Sequence, residues 1–452
     1  MKNANTLETQ THATKPNAPL KGTVRAPGDK SISHRALIFG ALAEGTTTIQ
    51  GLLEGDDILQ TAGAMRAFGA EITQKSQGKW IVKGCGKRGF TTPKAPVDFG
   101  NAGTGARLVM GAASAFNITV DYIGDESLSV RPMGRVLDPL TQMGAKFTST
   151  NSTLPLSQTK GGNLKPFSFT PPHASAQVKS ALILAGLKTR GTTEVIETSI
   201  TRDHTENMLE AFGVPVTRKS IDTGSSVSIK GPVLLKATNV TVPGDPSSAA
   251  FLIAAALVVP GSDIIVENIM MNASRTGLFE VLTEMGAFLR ADNFRKSGGE
   301  IIADIHVKYS KLVGVTVPED RVPSMVDEYP ILAVIAAYAK GTTEMRGLAE
   351  LRVKESDRLV ATHALLSQNG VATKIKGDNL LVTGGVLPSG IKGGACVTTH
   401  HDHRIAMSAL VLGLGTKNPV SIDDAAMIAT SFPDFFDLMS SIGAPITMPK
   451  PH

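Results

Sequence analysis

The chain has 452 residues, 42% apolar and 19% charged, with a formal net charge of +5 at neutral pH; this is the make-up of a globular protein with two or more domains and excludes a disordered or fibrous polymer. No basic run is interleaved with aromatics, which argues against nucleic acid as a partner; the surplus cations suit small anionic substrates instead. Two cysteines, Cys85 and Cys396, are too few for a disulfide framework or a zinc site, and the longest apolar run, Ala249 to Val259, is too short to span a bilayer.

In chain order, residues 1–19 are polar and carry Glu8 but no Arg, which reads as a flexible tail and not a targeting peptide; with so few cysteines, the cytoplasm is the expected compartment. From there one unit recurs six times: a short strand, a charged turn and an amphipathic helix closing on glycine. The segments are Thr46–Ala70, Ile118–Ala145, Thr192–Val214, Asp263–Ala287, Thr342–Val371 and Pro419–Ala444. Their closing glycines, Gly69, Gly144, Gly213, Gly286, Gly370 and Gly443, lie 69–84 residues apart and suit left-handed helix caps.

A second helix alternates with these, apolar nearly all round and therefore buried: Ala36–Ala43, Ala106–Ala115, Ala181–Leu187, Ala249–Val259, Ile331–Ala339 and Ile405–Leu414. Each opens on polar residues, which makes sense if those N-termini face a wet, anion-attracting cavity. The most charged stretch, Leu351–Arg358, reads as a strand-to-helix turn that puts Lys354 and Arg358 one helical turn apart, with Glu355 beside them. Six units divide into three plus three at the Pro243-Gly244 turn signal.

Eight stretches in order closely resemble the 5-enolpyruvylshikimate-3-phosphate synthases: Pro27 to Arg35, Asn101 to Thr104, Arg131-Pro132-Met133, Ser175-Ala176-Gln177, Arg202-Asp203-His204, Asp327 to Pro330, Lys354 to Arg358 and Asp402-His403-Arg404. The resemblance spans about Leu20 to Pro445. It implies an α/β fold, a two-domain inside-out α/β barrel in which each domain holds three βαβαββ-type repeats about a pseudo-threefold axis. The implied domains are 29–242 and 20–28 plus 243–452, with the active site in the interdomain cleft. The implied reaction is transfer of the enolpyruvyl group of phosphoenolpyruvate to shikimate 3-phosphate, without metal or cofactor, by a monomer.

By the same resemblance, shikimate 3-phosphate is expected on Lys30, Ser31, Arg35, Ser175, Ala176, Gln177, Arg202, Asp327 and Lys354. Phosphoenolpyruvate is expected on Lys30, Asn101, Gly103, Thr104, Arg131, Gln177, Arg358 and Arg404. Two carboxylates from opposite sides of the cleft suit the proton transfers: Asp327 is expected to act as base on the attacking hydroxyl and Glu355 as acid at the methylene carbon, with Lys30 sharing the charge work. His401-Asp402-His403 looks like a ligand cluster but reads better as a helix start. Ala176, and Thr430-Ser431-Phe432 where many members carry a Lys, resemble the divergent branch that includes glyphosate-tolerant enzymes, whereas Gly103 does not. The rival is the sister transferase acting on UDP-N-acetylglucosamine, which typically carries a reactive Cys in a mobile loop; Gly124–Pro132 has none.

Overall fold

The computed structural model describes residues 10–222, 224–297, 299–385 and 390–449. Both helix series of the sequence are present and alternate along the chain: α1 (Lys30–Leu42), α2 (Asp56–Ala67), α3 (Gly103–Ser114), α4 (Gly134–Met143), α5 (Ala176–Gly186), α6 (His204–Ala211), α7 (Pro246–Val258), α8 (Gly277–Glu284), α9 (Tyr329–Tyr338), α10 (Arg358–Gln368), α11 (His403–Gly413) and α12 (Phe435–Ser441). The odd-numbered helices are the apolar ones. Every residue of α7 is buried, and each fully buried Leu, Ile or Phe side chain contributes about 1.5–3 kcal/mol. After each even-numbered helix comes one of the six expected glycines, all with φ between +79° and +115°. An L side chain there would meet its own carbonyl, so the glycine ends the helix.

Two compact units result. One holds residues 28–243 and 296–300; the other holds 1–27, 244–295 and 301–452. The excursion 296–300 was absent from the expected division. It lies at the facing ends of two long neighbouring strands, Phe288–Ser297 and Glu300–Lys308. In that unit α3 packs closely on α5, because a Cβ on Gly111 would stand 2.2 Å from the Ala181 carbonyl oxygen. In the other unit α7, α9 and α11 pack on one another.

Among the described residues there are six four-stranded sheets, one per repeat. In Thr316–Val317, Gly341–Met345, Asn379–Gly384 and Ala372–Lys376 the first two strands are parallel and the rest antiparallel. Val97–Asp98, Val120–Ile123, Leu156–Lys160 and Lys146–Ser149 repeat that order. Three sheets break the rule of local supply: Val240–Thr241 joins Thr46–Gln50, Lys21–Arg25 joins Asp263–Met270, and the last sheet also takes a distant strand. His12–Ala13 fills its third position, antiparallel to both Val420–Ile422 and Ile446–Thr447. This corrects the second half of the expected tail: a two-residue strand carries too little pattern to be read, yet here it completes a sheet. Residues 1–9 lie outside the described residues. Lys21–Arg25 pairs in parallel with Asp263–Met270, within the same unit. No described helix is long and apolar enough to cross a membrane.

Candidate active site

The starts of the buried helices gather the charged residues, but not as an open anion trap. Asp29, Ser175, Asp245 and Asp402 cap α1, α5, α7 and α11 with their own side chains. Their oxygens satisfy helix N–H groups that the sequence reading left for ligands. α3 and α9 are different: Ala102 at the cap position of α3 has no side-chain oxygen to offer, and Glu328 makes no capping bond to α9.

Around that α3 start, the first unit brings most of its expected residues together. Arg131 donates to Asn101 Oδ1 at 2.7 Å and to Ser127 Oγ at 3.2 Å, and Asn101 donates to Asp125 at 2.9 Å. Gln177 donates to Thr104 Oγ1 at 2.9 Å while its carbonyl accepts from Arg107 Nη1 at 2.8 Å. Arg107 also donates to the Pro132 carbonyl at 3.1 Å, so it is a further cation among these residues that sequence reasoning missed. Its signal was available: an Arg one turn into an otherwise apolar helix. Gly103 lies between the two arginines, and a Cβ there would stand 3.4 Å from Arg131 and 3.5 Å from Arg107.

Lys30 at the start of α1 is partly exposed and ion-paired with Asp57. Arg35, a turn further in, is buried and donates to Thr205 Oγ1, the Ser31 carbonyl and Ser180 Oγ at 2.8–2.9 Å. Burial lowers its pKa to about 10, against the pull of Glu206 and Asp29. Three of its five N–H donors therefore serve the protein, and two stay available by these bonds. Arg202 and Asp203 stand half-buried just before α6, and His204 Nδ1 meets Glu300 at 2.9 Å.

In the other unit the hub is Arg358. Its guanidinium is buried and contacts three carboxylates: Asp402 through Nε at 2.8 Å, Glu355 through Nη2 at 2.5 Å and Asp327 through Nη1 at 3.2 Å. Burial opposes its charge, but Asp402, Glu355 and Asp327 outweigh that and raise its pKa above the ordinary value. Asp402 is likewise held below the usual carboxylate range: burial would raise it, but Arg358 and then His403 prevail. Arg404 donates to the Asp327 carbonyl oxygen at 3.2 Å and lies 3.9 Å from Glu328. Asp327, Glu355, Arg358 and Arg404 are thus joined within a single unit, so the two carboxylates do not come from opposite sides of a cleft as expected: one buried guanidinium holds them both.

Lys354 departs from expectation. Asp357 caps the helix by accepting from the Val360 N–H at 3.0 Å, so α10 begins only at Arg358 and Lys354 is extended at φ −85° and ψ −153°. The two cations share no helical face. The His401-Asp402-His403 cluster also disperses. His401 is exposed and pairs with Asp424 at 3.2 Å, Asp402 caps α11, and His403 is buried.

Burial, followed by the charge of Arg404, lowers the His403 pKa to about 3. Below about pH 6.5 the unfolded chain therefore takes up a proton that the folded chain refuses until about pH 3. His403's contribution is complete above that window and is lost progressively as pH falls through it. Replacing His403 with Gln is expected to flatten the acid limb of stability between those limits in urea melts; an unchanged limb would contradict this.

The sequence matches the family described as EPSP synthase (3-phosphoshikimate 1-carboxyvinyltransferase) over residues 14–439. The chain belongs to the EPSP synthase family. It is 54% identical over 429 residues to the 3-phosphoshikimate 1-carboxyvinyltransferase of Maricaulis maris, covering 95% of both chains. To that of Caulobacter vibrioides it is 55% identical over 434 residues, covering 95% of this chain and 97% of the relative. A solved EPSP synthase structure from Acinetobacter baumannii has a TM-score of 0.87 at 43% identity, over 97% of this chain and 99% of that one. The fold is the family's two-domain α/β architecture. The chain is a transferase of the shikimate pathway: it moves the enolpyruvyl group of phosphoenolpyruvate to the 5-hydroxyl of shikimate 3-phosphate, releasing phosphate, on the way to aromatic amino acids.

Proposed function

We propose the following division of labour for that reaction. Shikimate 3-phosphate is held by Lys30, Ser31, Arg35, the Ser175–Gln177 turn, Arg202, Asp327 and Lys354; phosphoenolpyruvate meets Lys30, the Asn101–Thr104 turn, Arg131, Gln177, Arg358 and Arg404. Four anionic groups on two substrates need this many cations, and the arginines suit bidentate recognition of carboxylate and phosphate. The observation that carries the reading is Arg358, one guanidinium joining the two carboxylates that the chemistry needs.

In the addition step Asp327 takes the proton of the 5-hydroxyl as its oxygen bonds to the central carbon of phosphoenolpyruvate, and Glu355 delivers a proton to the methylene carbon. In the elimination step the bond to phosphate breaks while Glu355 takes a proton back from the new methyl group, restoring the double bond; the proton left on Asp327 passes through water to the released phosphate. Lys30 balances the charge that develops. The protein works in the cytoplasm as a monomer on these small anions, with neither nucleic acid nor membrane as partner. Phosphate release with shikimate 3-phosphate offered against UDP-N-acetylglucosamine tests the acceptor; turnover with the nucleotide sugar would overturn it.

Gly103 also sets an expectation for glyphosate. A methyl group at Gly103 would stand 3.3 Å from Leu128 Cδ1 and 3.4 Å from Arg131 Nη1, tight enough to displace the arginine's tip by a few tenths of an ångström. Gly103→Ala should weaken glyphosate inhibition at least tenfold while raising the KM for phosphoenolpyruvate less, because that smaller ligand tolerates the shift. Equal loss for both would remove the steric argument.

A further inference from the structure

Lys179 lies on α5 in a stretch whose neighbours Val178 and Ala181–Leu184 are all buried apolar residues, and it is itself only 1% exposed. Its ammonium meets Glu197 at 2.9 Å and Glu206 at 2.7 Å, both buried. Glu197 ends the strand Gly191–Glu197, and its other oxygen accepts both the N–H of Thr201, at 3.2 Å, and the Thr201 hydroxyl. Lys179 Nζ reaches the Thr201 carbonyl at 3.5 Å. All three polar groups of Thr201 therefore end on one buried ion pair.

The chain between has no such hold. Thr198, Ser199 and Ile200 are exposed, and Thr201 is where the segment returns to the interior, one residue before Arg202. A buried ion pair is a poor source of net stability, since apolar side chains of similar volume would serve as well or better. What apolar groups could not supply is a charged, directional acceptor for the Thr201 backbone and hydroxyl. We infer that Lys179 and Glu197 are positioning residues for Arg202, acting through Thr201, and so tune recognition of shikimate 3-phosphate. This rests on the assignment of Arg202 to that substrate.

The test is calorimetric binding of shikimate 3-phosphate to the full-length enzyme, with KM for each substrate measured beside it. Lys179→Met strands two buried carboxylates and can fail to fold, so Thr201→Val and Glu197→Gln carry the experiment. Each is expected to weaken shikimate 3-phosphate about tenfold and to change the KM for phosphoenolpyruvate less than about twofold, whereas Thr201→Ser retains parental affinity. In an Arg202→Ala background Thr201→Val should have no further effect. Full additivity of the two changes, or unchanged affinity in both Thr201→Val and Glu197→Gln, overturns the inference. If Arg202→Ala alone binds shikimate 3-phosphate as the parent does, the underlying assignment falls instead.

Discussion

Arg358→Met is expected to lower stability by about 3–5 kcal/mol and to abolish measurable turnover. The guanidinium is buried against a carboxylate, Asp402, that is itself wholly buried, so removing it leaves that charge without a cation. Asp327 and Glu355 lose the same partner but are partly exposed, and water can solvate them. The structural and chemical roles separate in the double variant. With Asp402→Asn added, the stranded charge is gone and the cap on α11 survives through the amide oxygen, so most of the stability should return. Turnover should not. Urea melts and phosphate release measure the two independently. A double variant that regained activity would show Arg358 to be a structural partner only.

Asp327→Asn and Glu355→Gln are each expected to reduce kcat by about 10²–10⁴-fold, the ordinary size of a general acid–base contribution, with melting within a few degrees of the parent. Both side chains reach solvent, so neither substitution buries an orphan. Their roles differ when the tetrahedral adduct is supplied ready-made. Forward breakdown needs a base at the methyl carbon but none at the former hydroxyl. Asp327→Asn should therefore still release phosphate from the adduct, and Glu355→Gln should not. The opposite pattern would exchange the two assignments.

Much of this was legible because the repeat writes the same physical demand six times. A helix that must stop at a left-handed residue selects glycine, and a helix buried all round selects Ala, Leu, Ile and Val; both signals are local. What escaped depended on distant partners. Lys179 falls just outside the apolar run Ala181–Leu187 and drew no notice, because its partners Glu197 and Glu206 come 18 and 27 residues later. Asp402 looked like a helix start, which it is, and nothing nearby showed that it also holds Arg358 from 44 residues away. Lys354 was misplaced because Asp357 was read as one more charge in the run, when it is the cap that delays the helix.

The placement of His12–Ala13 between Val420–Ile422 and Ile446–Thr447 has a consequence for how the chain is made. On the ribosome this strand emerges before either partner, and they follow about 400 residues later, roughly 20–80 s at ordinary elongation rates. The 28–243 unit needs nothing beyond residue 300 and can close while synthesis continues. The other unit stays an open structure with an unclaimed strand until Val420–Ile422 and Ile446–Thr447 have been made. Truncation before Val420 should therefore leave an intact, protease-resistant first unit and a second one that chaperones and proteases find early.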